Sequence, residues 1–126
     1  MEVVPIGVAV SPHTEPSHTP PQADPDGPEV RIDVEEPYRA GLSGLRRGDP
    51  VVVVMWFDRA HRDRLVQVSR THPEWGERGV FALRSPHRPN PIGISTVPIA
   101  SVDETGLTVV GLDCLDGTPI LDLKPG

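Results

Sequence analysis

Apolar residues along this chain come in short runs separated by proline, glycine and charge, and most of the runs read as strands. Val30, Arg31, Ile32, Asp33 and Val34 alternate strictly, the period-two pattern of a strand with one buried face. Residues 51–57, four valines followed by Met55, Trp56 and Phe57, are apolar throughout, which predicts a central strand covered on both faces. Residues 3–10 suit a first or edge strand, since Pro5 cannot donate to a ladder. Short strands are also expected at 80–83, 94–99, 107–112 and 120–123, with turns at Thr105 and Gly106 and at Asp116 and Gly117. Residues 65–68 fit either another strand or a helix capped by Asp58; their period does not decide. Tyr38, Leu42 and Leu45 recur at helical spacing behind Pro37 and predict one short helix. Residues 13–28 are rich in proline, lack large apolar side chains and read as a long loop, a kind of segment that is often functional. Six or seven short strands with little helix indicate an all-β barrel or sandwich, because a parallel sheet would need long crossover helices.

Composition narrows this picture. The chain has 126 residues, the size of one domain, and its Pro 16 and Gly 12 argue against a helical bundle. A single cysteine, Cys114, excludes an intramolecular disulfide and a cysteine-rich zinc module, and it reads as a small core residue. His13, His18, His61, His72 and His87 show no zinc spacing, read as surface histidines and lead to no expected metal. No apolar window is long enough for a transmembrane helix, and Met1 to Pro5 lack the basic start of a signal peptide, so a cytoplasmic protein without a membrane partner is expected. The net charge of −6 excludes coating of nucleic acid by bulk electrostatics. Charge is unevenly distributed, however. Residues 59–88 carry Arg59, Arg62, Arg64, Arg70, Arg78, Arg84 and Arg88 against Asp63, Glu74 and Glu77, so an acidic chain can still present a local basic face.

Three segments carry candidate chemistry. In residues 84–93, Pro86, Pro89 and Pro91 stiffen a loop that also holds Arg84, His87, Arg88 and Asn90, while Gly93 permits close backbone approach. Fixed donors on a rigid loop suit a ligand carboxylate, phosphate or base; a turn with solvated arginines has the same composition. In residues 112–122, Asp113, Asp116 and Asp122 surround a tight turn at Gly117, Thr118 and Pro119 and could face a cationic ligand, though a plain β-turn also accounts for them. Residues 56–61 place Asp58, Arg59 and His61 at the exit of the most apolar strand. A phosphate-cradling loop, a dinucleotide fingerprint and a nucleophile elbow are all missing from the sequence.

The run from Gly79 to Ser95, with Leu83, Arg84, Ser85, Pro86, His87, Arg88, Pro89, Asn90, Pro91, Ile92 and Gly93 at its centre, resembles the signature of the TsaA-like (VirR/YaeB, tRNA methyltransferase O) family. Ile6, Gly7 and Val8 with Ser11 and Pro12 resemble the family's opening, Leu42 to Leu45 the segment before its central strand, and Leu112 to Pro125 its closing motif. The resemblance spans nearly the whole chain. It implies a small TsaA-like β-barrel of six or seven strands with one or two short helices, acting as a homodimer. It also implies an S-adenosyl-L-methionine-dependent methyltransferase that modifies the exocyclic nitrogen of threonylcarbamoyl-adenosine beside the tRNA anticodon.

Carried over position by position, the family's cofactor contacts fall on Pro20, Pro21 and Gln22, on Asp58 and Arg59, on Arg84 and Ile94, and on Asp116, Gly117, Thr118 and Pro119. Arg88 and Asn90 are expected to meet the substrate. A weakly basic acceptor nitrogen needs a proton acceptor, for which Asp58, His87 and Asp116 all stand as candidates. Pro21 replaces the arginine of a Pro-Arg-Gln contact, Asp58 replaces a common histidine, and residues 1–126 are expected to form one domain without the C-terminal extension of longer relatives. These departures keep two alternatives in view: a methyltransferase acting on a small molecule, and a non-catalytic sensor that binds the same cofactor.

Overall fold

The computed structural model describes residues 1–13 and 26–126. The described residues form eight strands: β1 Gly7–Val10, β2 Glu29–Val34, β3 Pro50–Trp56, β4 Val66–Val68, β5 Glu77–Gly79, β6 Ile92–Asp103, β7 Gly106–Val110 and β8 Pro119–Pro125. Six of them close into an antiparallel barrel in the order β1, β2, β7, β6, β3, β8, while β4 and β5 pair with each other as a separate ribbon. The expected all-β barrel with little helix is therefore what the chain forms.

Side-chain alternation fills the barrel. Val51, Val53 and Met55 of β3 point inward and are fully buried, as are Ile32, Leu107, Val109 and Ile120 from the neighbouring strands. Val52, Val54 and Trp56 are only half-buried, which corrects the expectation of a strand covered on both faces. A closed barrel has one interior, and no second layer of described residues seals the outer face of β3.

Other differences have local causes. The first strand begins at Gly7 rather than residue 3, where pairing with Val34 starts. The expected helix is a 3-10 segment, Glu36–Leu42, with Pro37 in its first turn and Leu42 buried against the barrel. Residues 80–83 do not form a strand: Val80–Ala82 is a 3-10 turn closed by the Leu83 amide donating to the Val80 carbonyl at 3.2 Å. The ambiguous 65–68 segment supplies β4, and its partner β5 is polar and exposed, with no hydrophobic period to mark it. Strand β6 runs well beyond 94–99 because it pairs first with β3 and then, past an irregularity between Ile99 and Ser101, with β7.

Candidate functional site

The register of the barrel gathers the candidate segments at one end. Met55, near the end of β3, lies between Gly93 of β6 and Ile120 of β8. Val8 of β1 lies opposite Pro119. The exit of β3 (Asp58, Arg59), the 84–93 loop, the 116–119 turn and the exit of β1 at Ser11 therefore emerge together.

Direct bonds join the exit of β3 to the 84–93 loop. The Phe57 amide donates to the Pro91 carbonyl at 2.8 Å, and the Phe57 ring fills the space that a side chain at Gly93 would occupy. Arg62 donates through Nε to the Pro89 carbonyl at 2.8 Å and lies over the Trp56 ring at 5.1 Å. Its Nη2 stands at 3.4 Å from Asn90 Oδ1. The His61 amide donates to His87 Nδ1 at 3.0 Å, so that nitrogen carries the lone pair and the ring proton sits on Nε2. Burial, aided by the Arg64 and His61 charges, pulls His87 below the usual histidine range.

Within the loop almost every polar group is committed to holding its shape. Arg88 donates to the carbonyls of Leu83 (3.1 Å), Ser85 (2.9 Å) and Val80 (2.6 Å), which fixes the turn ahead of the loop. Ser85 Oγ accepts from Gln67 Nε2 at 2.9 Å and from the His87 amide at 3.3 Å. Arg84 differs: it is exposed and bonds to no described residue.

The closing turn is tied to β1. Gly117 adopts φ +84°, the left-handed conformation the turn requires. Its amide donates to the Ala9 carbonyl at 2.8 Å, and the Asp116 amide donates to the His13 carbonyl at 2.7 Å. Asp116 Oδ1 accepts from the Ser11 amide at 3.0 Å, and the buried Thr118 hydroxyl donates to the Leu115 carbonyl at 2.7 Å. Asp116 and Thr118 thus build the turn with their side chains, while Pro119 is half-buried at the start of β8. Asp58 is exposed, as is Arg59, and Ile94 projects from the outer face of β6 at 56 % exposure. Pro20, Pro21 and Gln22 lie outside the described residues.

Three further residues belong to this end of the barrel. Ser95 precedes Val97 and Ile99 on the inward face of β6, and its hydroxyl donates to Asp113 Oδ1 at 3.0 Å. Asp113 is half-buried, and desolvation raises its carboxyl above the usual range. His13 is close enough for its charge to act on Asp113, and its Nε2 is buried without a hydrogen-bond partner among the described residues. His13 is therefore not the simple surface histidine that spacing suggests. The hint available in the sequence was its place directly after Ser11 and Pro12 in the opening motif.

Cys114 is buried, and desolvation, with the charges of Asp113 and Asp116, pushes its thiol up to about 12. A thiol reagent at pH 8 should leave the folded protein unmodified and label it on unfolding in urea; rapid labelling of the native protein would contradict this burial. Among the described residues no three His, Cys, Asp or Glu side chains converge as a metal site, and no helix is long and apolar enough to cross a membrane.

Comparison with known proteins gives this arrangement a family. The tRNA-methyltransferase O N-terminal domain matches residues 8–126. An S-adenosyl-L-methionine-binding protein of Archaeoglobus fulgidus is 40 % identical over 124 residues, covering 98 % of this chain and 88 % of that protein. A probable S-adenosyl-L-methionine-binding protein of the same organism is 42 % identical over 120 residues, covering 95 % of this chain but only 32 % of its own length. The crystal structure of TrmO from Pseudomonas aeruginosa superposes on the whole chain with a TM-score of 0.80 at 32 % identity, and the chain spans 55 % of that protein. With that match over nearly its whole length, this chain belongs to the tRNA-methyltransferase O N-terminal domain family.

Proposed function

We propose that the chain binds S-adenosyl-L-methionine at the end of the barrel where β1, β3, β6 and β8 deliver their loops, and that it transfers the methyl group to the exocyclic nitrogen of threonylcarbamoyl-adenosine in tRNA. The observation that carries the reading is the division of labour in the 84–93 loop. Arg88, His87 and Ser85 hold the loop together, and Arg84 is left exposed and unbonded to any described residue. A rigid loop offering one spare guanidinium suits capture of a ligand carboxylate, since the loop is ordered before binding. The relatives named for binding this cofactor point the same way.

The residues also fit the group chemically: an unbonded arginine can take its carboxylate, and an acidic, partly desolvated turn region suits its positive charge. When bound, the cofactor supplies an electrophilic methyl on a sulfonium. The chain would orient the acceptor nitrogen and receive its proton. Asp58 is the most open of the proposed proton acceptors, because Asp116 Oδ1 caps Ser11 and His87 Nδ1 is occupied by His61. Of the arginines in residues 59–88, Arg59, Arg64, Arg70 and Arg78, which neither hold the loop nor face the cofactor carboxylate in this reading, would meet tRNA phosphates, so activity on tRNA should fall steeply with added salt. Within the same reading the protein is cytoplasmic, and a second copy would cover the exposed Ile92 and Ile94 in a homodimer.

Calorimetric titration with S-adenosyl-L-methionine tests the proposal. Saturable binding should weaken about tenfold or more in Arg84→Ala, roughly 1.4 kcal/mol. Absence of binding by the unaltered protein overturns the reading. Binding without S-adenosylhomocysteine formation on any RNA favours the sensor alternative.

A further inference from the structure

Positive charge and exposed aromatic surface coincide on a part of the chain that the barrel does not use. Residues 59–88 hold seven arginines against three acids, so they carry +4 while the remaining residues carry −10. At their centre is the β4 and β5 ribbon, which pairs outside the barrel. Its base is fastened to the 84–93 loop: the Val80 amide donates to the Leu65 carbonyl at 2.9 Å, and Gln67 Nε2 donates to Ser85 Oγ at 2.9 Å. Toward its tip the Trp75 ring stacks on His72 at 4.0 Å, and the Arg78 guanidinium lies 4.3 Å from the same ring.

Phe81, at the base, has no such neighbour. It is 85 % exposed, and its ring meets no other ring among the described residues. Its backbone is nonetheless held, because Val80 and Leu83 are buried and Arg88 donates to both of their carbonyls. A fixed turn thus keeps the ring out of the core, three residues before Arg84. Leu65, Val66 and Val68 are also exposed and widen the apolar surface of the ribbon. A patch of this kind marks a contact surface. Charge indicates the partner. A two-fold contact sets the same patch of each copy against the other, which here opposes like charges, whereas a polyanion is attracted. Rings interleaved with arginines are also how proteins hold unpaired nucleotides, with bases on the rings and phosphates on the guanidinium groups.

We infer that the β4 and β5 ribbon, with the Val80–Ala82 turn, is an RNA-gripping arm on which Phe81 stacks an unpaired base near the acceptor nucleotide while Arg64 and Arg78 meet the flanking phosphates. The inference rests on the RNA substrate of the reading above and deepens it. Because the base of the arm is bonded to the 84–93 loop, a strand held by Phe81 is delivered to the open end of the barrel, where Asp58 and Arg84 emerge. Arg64 is exposed and close enough for its charge to act on His87 of that loop.

Fluorescence anisotropy with two labelled RNA probes tests the arm: a hairpin with an unpaired loop and a fully paired duplex of equal length, each titrated at several salt concentrations. The unaltered protein should bind the hairpin more tightly. Phe81→Ala should bind the hairpin about tenfold more weakly, the size of one lost base stack, with its salt slope and its duplex affinity unchanged. Arg64→Ala should weaken both probes and reduce the salt slope by about one. Both side chains are exposed, so both variants should melt with the unaltered protein and keep its affinity for S-adenosyl-L-methionine. Equal affinity for hairpin and duplex overturns the arm, as does hairpin binding by Phe81→Ala within about twofold of the unaltered protein. Light scattering tests the other occupant: if Phe81→Ala turns a dimer into a monomer, the ring belongs to a contact between copies and the arm is overturned. Cofactor binding without RNA binding overturns the arm and leaves the cofactor reading standing. The expected hairpin results without cofactor binding do the reverse.

Discussion

Gly106→Ala should destabilise the barrel by about 3 kcal/mol, near the upper end for overpacking, and lower Tm by roughly 10 °C. Gly106 opens β7 opposite Asp33, and a Cβ at this position would stand 2.0 Å from the Ile32 carbonyl oxygen and 3.0 Å from Arg31 Nη2. The obstructing atom is backbone within the ladder, so relief requires moving β2 away from β7. That movement also pulls on the Arg31 guanidinium, which joins Asp33 (2.9 Å), Asp103 (2.6 Å) and Thr105 (2.7 Å) across the β2, β7 and β6 corner. These ion pairs are largely exposed and would return little of the loss. Urea and thermal denaturation measure the change; a loss below about 0.5 kcal/mol, the level of an ordinary surface substitution, would mean that the strands part without cost.

Gly106 also shows where sequence reading stops. Thr105 and Gly106 read as turn residues, yet the turn is made by Glu104 and Thr105, and Gly106 already belongs to β7. Its glycine serves close approach across the ladder, a tertiary requirement that no local pattern reveals. By contrast, the alternation at 30–34 fixed β2 and its inward face, and the tight turn at Asp116 and Gly117 was legible because its positive φ is a local property. The 84–93 loop was legible as a rigid presenter of donors. Which arginine it presents was marked only by the family resemblance, which fell on Arg84, and not by the local pattern, because Arg88 is consumed by carbonyls that converge only after Val80–Ala82 makes its 3-10 turn. Three closing-motif carboxylates were visible in the sequence, but the partner each one meets depends on where Ser11, Lys124 and Ser95 arrive in the fold.

Gly93→Ala should damage stability and ligand binding together, because Gly93 is where the exit of β3 meets the 84–93 loop. Its Cβ would lie 2.2 Å from Phe57 Cε2 and 2.4 Å from Cζ, and Phe57 packs partly buried against the core. The ring cannot turn away freely, since the Phe57 amide is bonded to Pro91 at 2.8 Å and the next residues, Asp58 and Ala60, close a turn back onto Trp56 and Phe57. The clash should cost about 2 kcal/mol. It should also displace the exit of β3, with Asp58 and Arg59, from the 84–93 loop, weakening S-adenosyl-L-methionine binding by more than tenfold. A double-mutant cycle identifies the cause: with the ring removed by Phe57→Ala, adding Gly93→Ala should cost less than about 0.5 kcal/mol, leaving a coupling energy above about 1 kcal/mol. Additive losses would place the effect in the backbone of Gly93 itself and detach the glycine from the ring. A variant that loses stability but binds the cofactor normally would show that the junction supports the barrel without setting the geometry of its open end.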